Sequence, residues 1–466
     1  MIDHSAPRIG VLGLMLELYD RAAPDLRPKQ EQFARDELIP RLEGMGEVTY
    51  AGIQNTREGV AAAVDEFIAE DVDLVITVHL SYAPSLIALP DLLRWSGPVV
   101  MWNTQKLKGI GPGFSHAQVI ENHGMHGVQD LANTLNRVGR QYAVVTGHFE
   151  DPVTLAEIAG WARAAKARRA LRNARIGQVG FAFQDMGDFG VDETQFMALV
   201  GPHVVRMRLD ALAESQDQAP LSALEDMLRE DRERFDIAPD ITEEEHLASA
   251  RIEWAMRNVF DELGLDGVAI HYEALAADPR FGALPFAAAS KLLAEGYGFG
   301  GEGDVTSASA VVAMQHLCGQ ASFSEMFTMD FEGDSIYLAH YAEANPRMAR
   351  KDMRPRLCRR EGWVGSGGVS TSLAFGFQPG PVTMANLTIG EAGMPKLIAF
   401  EGEILDFYQP EFDTPHGRFR PDDSMPDFLD AYAHEGGSHH LAMSPGKHLA
   451  HVAKLAELLG INYVEL

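Results

Sequence analysis

The chain has 466 residues, 46% hydrophobic and 23% charged, a balance typical of a soluble globular protein. At this length two or three domains are expected, because single hydrophobic cores stop growing at about 250–300 residues. The formal net charge of −28 would repel the phosphates of nucleic acid and an anionic membrane surface, so we expect neither as a partner; a neutral substrate fits this charge.

The cysteines and the N-terminus indicate a cytoplasmic protein. Cys318 and Cys358 are too few for a disulfide framework in a chain of this length. The first residues, Met-Ile-Asp-His-Ser, have neither the basic nor the apolar region of a signal peptide. The longest uncharged run, 363–390, is rich in Gly, Ser, Thr and Pro, so it predicts strands and turns rather than a membrane span.

Residues 1–173 are predicted to form an N-terminal α/β domain. Short aliphatic runs alternate with longer amphipathic ones, the pattern of a parallel sheet covered by helices. The predicted strands are 8–15, 48–52, 74–78, 99–102 and 142–146, and the predicted helices are 29–42, 57–70, 84–94 and 126–137. Ligands of such sheets bind beyond the carboxyl ends of the strands. This directs attention to 103–105, 122–123 and 147–148. The glycines at 109–113 lack the dinucleotide-binding spacing, so no nicotinamide or flavin cofactor is predicted.

The remaining chain is predicted to form a central α/β domain, 174–321, and a mainly antiparallel β domain, 322–466. The central domain has predicted strands at 176–183 and 267–272, and predicted helices at 221–235, 242–263 and 306–317. From residue 322 the hydrophobic pattern changes to a period of two, with predicted strands at 325–331, 336–342, 369–377, 382–388 and 395–407 and a last helix at 447–459. The predicted fold class is therefore α/β, with two parallel-sheet domains followed by a β domain.

A glycine-rich run, 295–304, contains a candidate catalytic acid, Glu302. The glycines on either side permit unusual dihedral angles and let the backbone approach a ligand closely. The plainer interpretation is a turn in which Asp304 caps the following helix. Both interpretations can hold together.

Further on, an acid and three histidines could join Glu302. Glu325 lies on a predicted strand and shares one face of it with large apolar residues. Such an acid either lies at the solvent-exposed end of the strand or has a function. His340, taken alone, is more often a structural histidine. His439 and His440 follow two glycines and would point to opposite sides if the backbone is extended. Two carboxylates with one or two imidazoles suit Mn²⁺, Mg²⁺, Fe²⁺ or Co²⁺.

At these residues the sequence resembles the L-arabinose isomerase family. Gly-Tyr-Gly-Phe-Gly-Gly-Glu-Gly-Asp is similar to the family stretch bearing the first catalytic glutamate, and Glu-Met-Phe-Thr-Met-Asp-Phe resembles the stretch bearing the second. The resemblance implies that Glu302 and Glu325 are catalytic and that both bind a divalent metal, with Mn²⁺ expected. It also implies that His340 and His440 are the histidine ligands.

The resemblance extends into the N-terminal part, where Asn-His-Gly-Met-His-Gly at 122–127 is similar to a stretch that frames the sugar site. In the family, the histidine matching His126 reaches the active site of a neighbouring subunit. The resemblance therefore implies a homo-oligomer built on trimers, with a hexamer or a tetramer as the alternatives, and an active site near a subunit interface. It also implies that the C-terminal domain is a β-barrel.

Several substrate-contacting positions depart from the family. Leu16, followed by Glu17 and Leu18, stands where a glutamine precedes the first Leu-Tyr; His123 replaces a second glutamine, and Phe327 replaces a tyrosine. We assign these residues, with His126 and His439, to the substrate-binding set. Because a site that hydrogen-bonds a substrate hydroxyl can discriminate strongly, the changes predict that L-arabinose is not the preferred sugar.

The predicted function is a metal-dependent aldose–ketose isomerisation of a pentose, a hexose or a related sugar. A proton moves between C1 and C2 and another between O1 and O2, through an enediolate. One alternative is an epimerase, or an isomerase of a derivatised sugar. Another is a catalytically silent sugar-binding homologue. The sequence leaves open which glutamate takes the carbon-bound proton.

Overall fold

The computed structural model of the protein describes residues 6–361 and 369–466. The chain divides between Arg169 and Ala170 into two compact units, a first unit described over 6–169 and a second unit that begins at Ala170. The start of the uncharged run at 363–390 lies outside the described residues. The boundary predicted at 321–322 falls within the second unit and stays a prediction.

The first unit contains a parallel sheet, as predicted. Its strands are β1 (Arg8–Leu14), β2 (Glu47–Gln54), β3 (Leu74–His79), β4 (Val99–Asn103) and β5 (Ala143–Thr146). They are arranged in the order β2-β1-β3-β4-β5, and every pair is parallel. All six residues of β3 are buried, as expected for an inner strand covered on both faces.

The helices of the first unit are α1 (Tyr19–Ala22), α2 (Leu26–Phe33), α3 (Ile39–Glu43), α4 (Arg57–Ala69), α5 (Leu89–Arg94), α6 (His116–Glu121), α7 (Gly124–Arg137) and α8 (Pro152–Asn173), which runs past the unit boundary. The single helix predicted at 29–42 is interrupted, because a π-helical turn at Ala34–Leu38 joins α2 to α3. Pro40 has no N–H to donate at this point, so the α-helical pattern cannot continue undisturbed.

The second unit begins with another parallel sheet. The first strands of this unit are β6 (Arg175–Val179), β7 (His203–Met207), β8 (Asp236–Ile237), β9 (Gly267–Ile270) and β10 (Gly298–Gly301). The parallel sheet has the order β10-β9-β6-β7. The sequence did not predict β10, because three of its four residues are glycines, which have low strand propensity.

The helices of the second unit are α9 (Glu193–Leu199), α10 (Leu209–Asp217), α11 (Leu221–Arg234), α12 (Glu243–Leu263), α13 (Tyr272–Ala276), α14 (Phe286–Ala294), α15 (Val305–Cys318), α16 (Met425–His434) and α17 (Leu449–Leu459). Helix α12 begins with a capping box of Thr242 and Glu245 and ends at Gly264, whose φ of 59° is left-handed. These signals explain why its bounds were predicted closely. No helix in 6–361 or 369–466 combines the length and apolar character that a membrane span needs.

The last part of the chain forms a large mixed sheet, mainly antiparallel as predicted. Its further strands are β11 (Ser322–Asp330), β12 (Ser335–Ala339), β13 (Arg356–Glu361), β14 (Val369–Gly376), β15 (Gly380–Ile389), β16 (Pro395–Leu405), β17 (Pro415–Pro421), β18 (His440–Pro445) and β19 (Asn462–Glu465). Strands β16, β15, β18, β11, β12 and β17 are successive neighbours, and β17 pairs back to β16 to close the circuit. Their buried apolar side chains, among them Leu338, Phe400 and Met443, contribute to one core.

A buried network of charges joins helices α11, α12 and α14. The Lys291 ammonium lies 2.5 Å from Asp231 Oδ1 and 2.7 Å from Glu253 Oε2, and all three side chains are buried. Burial alone would lower the pKa of Lys291, but the two carboxylates raise it above its ordinary value. Since an unpaired buried charge is strongly unfavourable, this lysine holds the three helices together.

We expect Lys291→Met to lower the free energy of unfolding by about 3–5 kcal/mol, because it leaves two buried carboxylates without their shared cation. The matched control is Lys447→Met, whose side chain is 61% exposed and whose ion pairs, at 3.3 and 3.7 Å, should contribute about 0–1 kcal/mol. Urea unfolding followed by circular dichroism measures both variants. Equal losses in the two variants would show that the buried network does not stabilise the fold.

Candidate active site

Glu302 follows strand β10 at the carboxyl end of the second unit's parallel sheet. Its φ of 56° lies in the left-handed region, and Gly303 follows with a φ of 79°. A β-carbon on Gly301 would come within 2.8 Å of the His340 ring, closer than real β-carbons approach. Glycine at 301 therefore lets the His340 imidazole lie against the backbone next to Glu302.

Strand β11 places Glu325 between two histidines. Glu325 pairs with His440 of β18 on one edge and with Ala339 of β12 on the other, and His340 follows Ala339 directly. Glu325, His340 and His440 each offer one ligand atom, and these atoms lie within 4.8 Å of one another. The register of three strands thus brings three of the predicted residues together.

A second group with the same spacing consists of Glu302, His439 and His440. Glu302 Oε2 lies 3.6 Å from His439 Nε2 and 3.8 Å from His440 Nε2. Both histidines therefore lie near Glu302, and the opposite orientations expected for an extended backbone do not arise here. Strand β18 begins at His440, so His439 lies in the preceding loop, where the alternation of a strand does not apply.

Asp304 orients the imidazole of His440. Its Oδ1 accepts the N–H groups of Thr306 and Ser307 at 2.8 and 3.0 Å, which confirms the predicted helix cap. Its Oδ2 lies 3.0 Å from His440 Nδ1, and both side chains are fully buried. Burial acts to raise the pKa of Asp304, but the hydrogen bond from His440 holds it below its ordinary value. Because the carboxylate only accepts, His440 Nδ1 carries a proton and Nε2 faces Glu302.

Glu343 orients the imidazole of His340 in the same way. Glu343 Oε2 lies 2.6 Å from His340 Nδ1 and also accepts the N–H of Ala342 at 3.0 Å, and the hydroxyl of Tyr272 donates to Oε1. Burial acts to lower the pKa of His340, but the adjacent Glu343 raises it above its ordinary value. The hydrogen bond at Nδ1 leaves the Nε2 of His340 available to a ligand.

Asp188 contacts His439 from the loop between β6 and α9. Asp188 Oδ2 lies 2.6 Å from His439 Nδ1 and accepts the His439 backbone N–H at 3.2 Å. Burial acts to lower the pKa of His439, but Glu302 and Asp188 raise it to about 9. His439 thus lies between two carboxylates.

The two glutamates have pKa values that are shifted in opposite directions. Burial acts to raise the pKa of Glu302, but the surrounding histidines, His439 foremost, hold it below its ordinary value. For Glu325 the effect of burial exceeds that of the same histidines, so its pKa is raised. Divergent pKa values in a carboxylate pair are typical of sites that both give and take protons.

The donor atoms fit a divalent metal ion. Glu302 Oε2 and His440 Nε2 are buried and have no hydrogen-bond partner among the described residues. Buried polar atoms are normally satisfied, and a cation would satisfy both of these. Carboxylate oxygens and imidazole nitrogens are ligands for hard to borderline divalent ions. The predicted ligands Glu302, Glu325, His340 and His440 therefore offer a chemically suitable set.

Other residues of the predicted substrate-binding set lie in the first unit. Leu16, Glu17 and Leu18 follow β1, at the carboxyl end of its sheet. His123 precedes α7 and His126 lies in its first turn, and His123 Nε2 is 2.6 Å from His126 Nδ1. Their role in substrate binding stays a prediction.

Phe327 lies in the second unit, two residues after Glu325. The pairing of β11 with β12 shifts register between Met326 and Thr328, so Phe327 occupies an irregularity of the strand. Its side chain is 51% exposed, which leaves a large apolar group accessible.

Sequence reasoning missed the carboxylates that orient the imidazoles. Glu343 lies only three residues after His340, and this spacing could have suggested a pair. Asp304 was recognised solely as a helix cap. Asp188 is 251 residues from His439, and the sequence carries no signal that would connect them.

Comparison with known proteins identifies the relatives of the chain. The model of the L-arabinose isomerase central domain matches residues 191–320, and that of the L-arabinose isomerase C-terminal domain matches residues 320–462. The L-arabinose isomerase of Nocardioides sp. is 29% identical over 357 residues, covering 74% of this chain and 70% of the relative. That of Thermotoga maritima is 28% identical over 354 residues, with the same coverage. That of Geobacillus thermodenitrificans is 27% identical over 406 residues, covering 84% and 80%.

The two domain models adjoin at residue 320 and together span 191–462, more than half of the chain. Glu302, Glu325, His340, His439 and His440 lie within this span, and Asp188 lies just before it. The chain belongs to the L-arabinose isomerase family.

Proposed function

We propose that this sugar isomerase, an intramolecular oxidoreductase by family, interconverts an aldose and a ketose with the help of a divalent metal ion. The observation that carries the proposal is that two groups of possible ligands share His440. One contains Glu325 and His340 and the other contains Glu302 and His439, with unsatisfied buried atoms on Glu302 and His440. We infer that Mn²⁺ is the preferred ion, since the ligand set combines carboxylates with imidazoles.

The proton transfers belong to the two glutamates. Isomerisation moves one proton between C1 and C2 and another between O1 and O2, so two acid/base groups are needed next to the reacting carbons. We assign these two roles to Glu302 and Glu325. Each carboxylate has two oxygens, so one oxygen can bind the metal ion while the other exchanges a proton. When bound, the metal ion would polarise the carbonyl oxygen and so stabilise the negative charge of the intermediate. His340 and His440 would bind the metal ion. Glu343 orients the ring of His340, and Asp304 orients the ring of His440.

The charge around the site favours a neutral sugar. Asp188, Asp304 and Glu343 lie directly behind the three histidines, and the whole chain has a net charge of −28. A phosphorylated sugar or a sugar acid would experience repulsion from these carboxylates. We therefore infer that the substrate is an unphosphorylated pentose or hexose, or a deoxy derivative of one.

Two residues of the predicted substrate-binding set favour a sugar other than L-arabinose. The side chains of Leu16 and Phe327 are apolar; Leu16 is half-buried and Phe327 is exposed. Neither can hydrogen-bond a sugar hydroxyl, so the preferred substrate should be less polar at one end or differently configured beyond C2.

The assembly and location of the protein are also proposed. We infer a homo-oligomer built on trimers, with His126 of each chain reaching the active site of a neighbouring subunit, as the family resemblance implies. A cytoplasmic location fits the low cysteine content of the chain, which has only Cys318 and Cys358.

We expect metal removal to abolish activity and Mn²⁺ to restore it, because the bound ion would polarise the reacting oxygen. The purified protein should bind about one ion per subunit, measured by elemental analysis. Activity is best measured as deuterium incorporation from D₂O into carbon-bound positions, over a panel of aldoses and ketoses. Unchanged exchange after verified metal removal would overturn the metal proposal, and a complete absence of exchange would favour a silent sugar-binding protein.

We expect Glu302→Gln and Glu325→Gln each to lower kcat by at least about 10²-fold, the scale of a lost general acid or base. The matched control is Glu332→Gln, an exposed residue just beyond β11, which should keep kcat within about twofold. Metal content of each variant separates loss of proton transfer from loss of the ion. Near-normal turnover in both active-site variants would show that the proton-transfer roles are assigned wrongly.

We expect the kcat/KM for L-arabinose to be below that of the best sugar in the panel. Each hydrogen bond left unmade should reduce the stabilisation of the transition state by on the order of 1–3 kcal/mol. Phe327→Tyr should narrow this difference, since it restores a hydroxyl. The control is Phe331→Tyr, at an exposed phenylalanine next to β11, which should leave this difference in kcat/KM unchanged. If L-arabinose equals the best sugar, positions 16, 123 and 327 do not set specificity.

A further inference from the structure

We propose that Asp188 is a positioning residue of the isomerase, which holds the His439 imidazole with Nε2 directed at Glu302. The proposal rests on the proposed function, because it assigns to His439 a contact with the sugar beside that glutamate. Asp188 acts through His439 and itself touches neither substrate nor metal.

One carboxylate oxygen fixes both the backbone and the ring of His439. Asp188 Oδ2 accepts the His439 backbone N–H at 3.2 Å and lies 2.6 Å from Nδ1 of the same residue. Two contacts to one acceptor restrict the side-chain torsions of the histidine. The other ring nitrogen, Nε2, is then 3.6 Å from Glu302 Oε2.

The loop that carries Asp188 is itself tied to the site at two points. Near its start, the N–H of Phe183 donates to the carbonyl oxygen of Glu302 at 2.9 Å. Near its end, the ring of Phe189 stacks on His440 at 5.5 Å between centroids and lies 5.7 Å from His439. Phe189 is only 1% exposed, so it is a fixed anchor that presents the neighbouring Asp188 to His439.

The partial exposure of the pair distinguishes it from the other two orienting contacts. Asp304 with His440 and Glu343 with His340 are buried, whereas the side chains of Asp188 and His439 are 38% and 31% exposed. An accessible imidazole next to a catalytic glutamate is placed to hydrogen-bond a sugar hydroxyl. Misplacing it would disturb the alignment of the sugar with Glu302, and small misplacements of this kind cost on the order of 10²-fold in rate.

The experiment compares Asp188→Ala with Asp188→Asn and with a control in the same loop, Asp185→Asn. Asp185 is exposed and has a φ of 69°, which asparagine tolerates. With the best sugar of the panel and saturating Mn²⁺, we expect Asp188→Ala to lose about 10–100-fold in kcat/KM. Asp188→Asn should recover part of the loss, since its amide oxygen still accepts, and Asp185→Asn should stay within about twofold of the parent.

A double-variant cycle tests whether Asp188 acts through His439. If it does, Asp188→Ala combined with His439→Ala should be no slower than His439→Ala alone. Losses that multiply in the double variant would contradict the proposal, as would an Asp188→Ala variant within about twofold of the parent.

A structural readout keeps the proposal testable independently of turnover. In crystals of Asp188→Ala we expect the His439 ring to occupy more than one orientation, whereas it should keep one orientation in Asp185→Asn. A His439 ring that stays in place without Asp188 would overturn the proposal. Absence of carbon–hydrogen exchange in the parent protein with every sugar would instead refute the proposed function, and the ring orientation would still decide what Asp188 does.

Discussion

The register of strand β11 is the constraint on which the site depends. Near Glu325 this strand is hydrogen-bonded on both edges, to β12 and to β18, so the glutamate cannot shift relative to His440 or to Ala339 and the following His340. A slip of one residue would turn every side chain of the strand to the opposite face. Glu302 reaches the same place from the neighbouring parallel sheet, whose last glycines permit the close approach of the His340 ring.

Each of the three imidazoles at the site has a carboxylate behind it: Asp304 for His440, Glu343 for His340 and Asp188 for His439. The first two carboxylates are buried, and each accepts additional N–H or O–H groups that offset the loss of water. In each histidine the carboxylate faces Nδ1, so Nδ1 carries a proton and Nε2 is turned away from the carboxylate. As a result, the nitrogens that face the glutamates are defined by the fold before any ligand binds.

Much of the architecture was readable from the sequence, because hydrophobic periodicity and capping signals are local. The parallel strands of the first unit and helix α12 were predicted within a few residues, whereas the strand β10 was not, since three of its four residues are glycines. Three of the predicted metal ligands, Glu325, His340 and His440, lie within ligand distance of one another, and the fourth, Glu302, lies near His440, yet the carboxylates that orient the histidines were missed. Contacts such as Asp188 with His439 arise from tertiary packing between distant segments, which no spacing in the sequence encodes.

The backbone conformation of Glu302 lowers stability at a residue that is proposed to be catalytic. A residue with a side chain is strained by roughly 1–2 kcal/mol in the left-handed conformation found there, and glycine would adopt it freely. Selection for stability alone would therefore remove the carboxylate from this loop. With the acid/base role proposed for Glu302, this position is a trade-off between activity and stability, so an engineering effort that chose substitutions by thermal tolerance alone would favour glycine there and remove the proposed acid/base group.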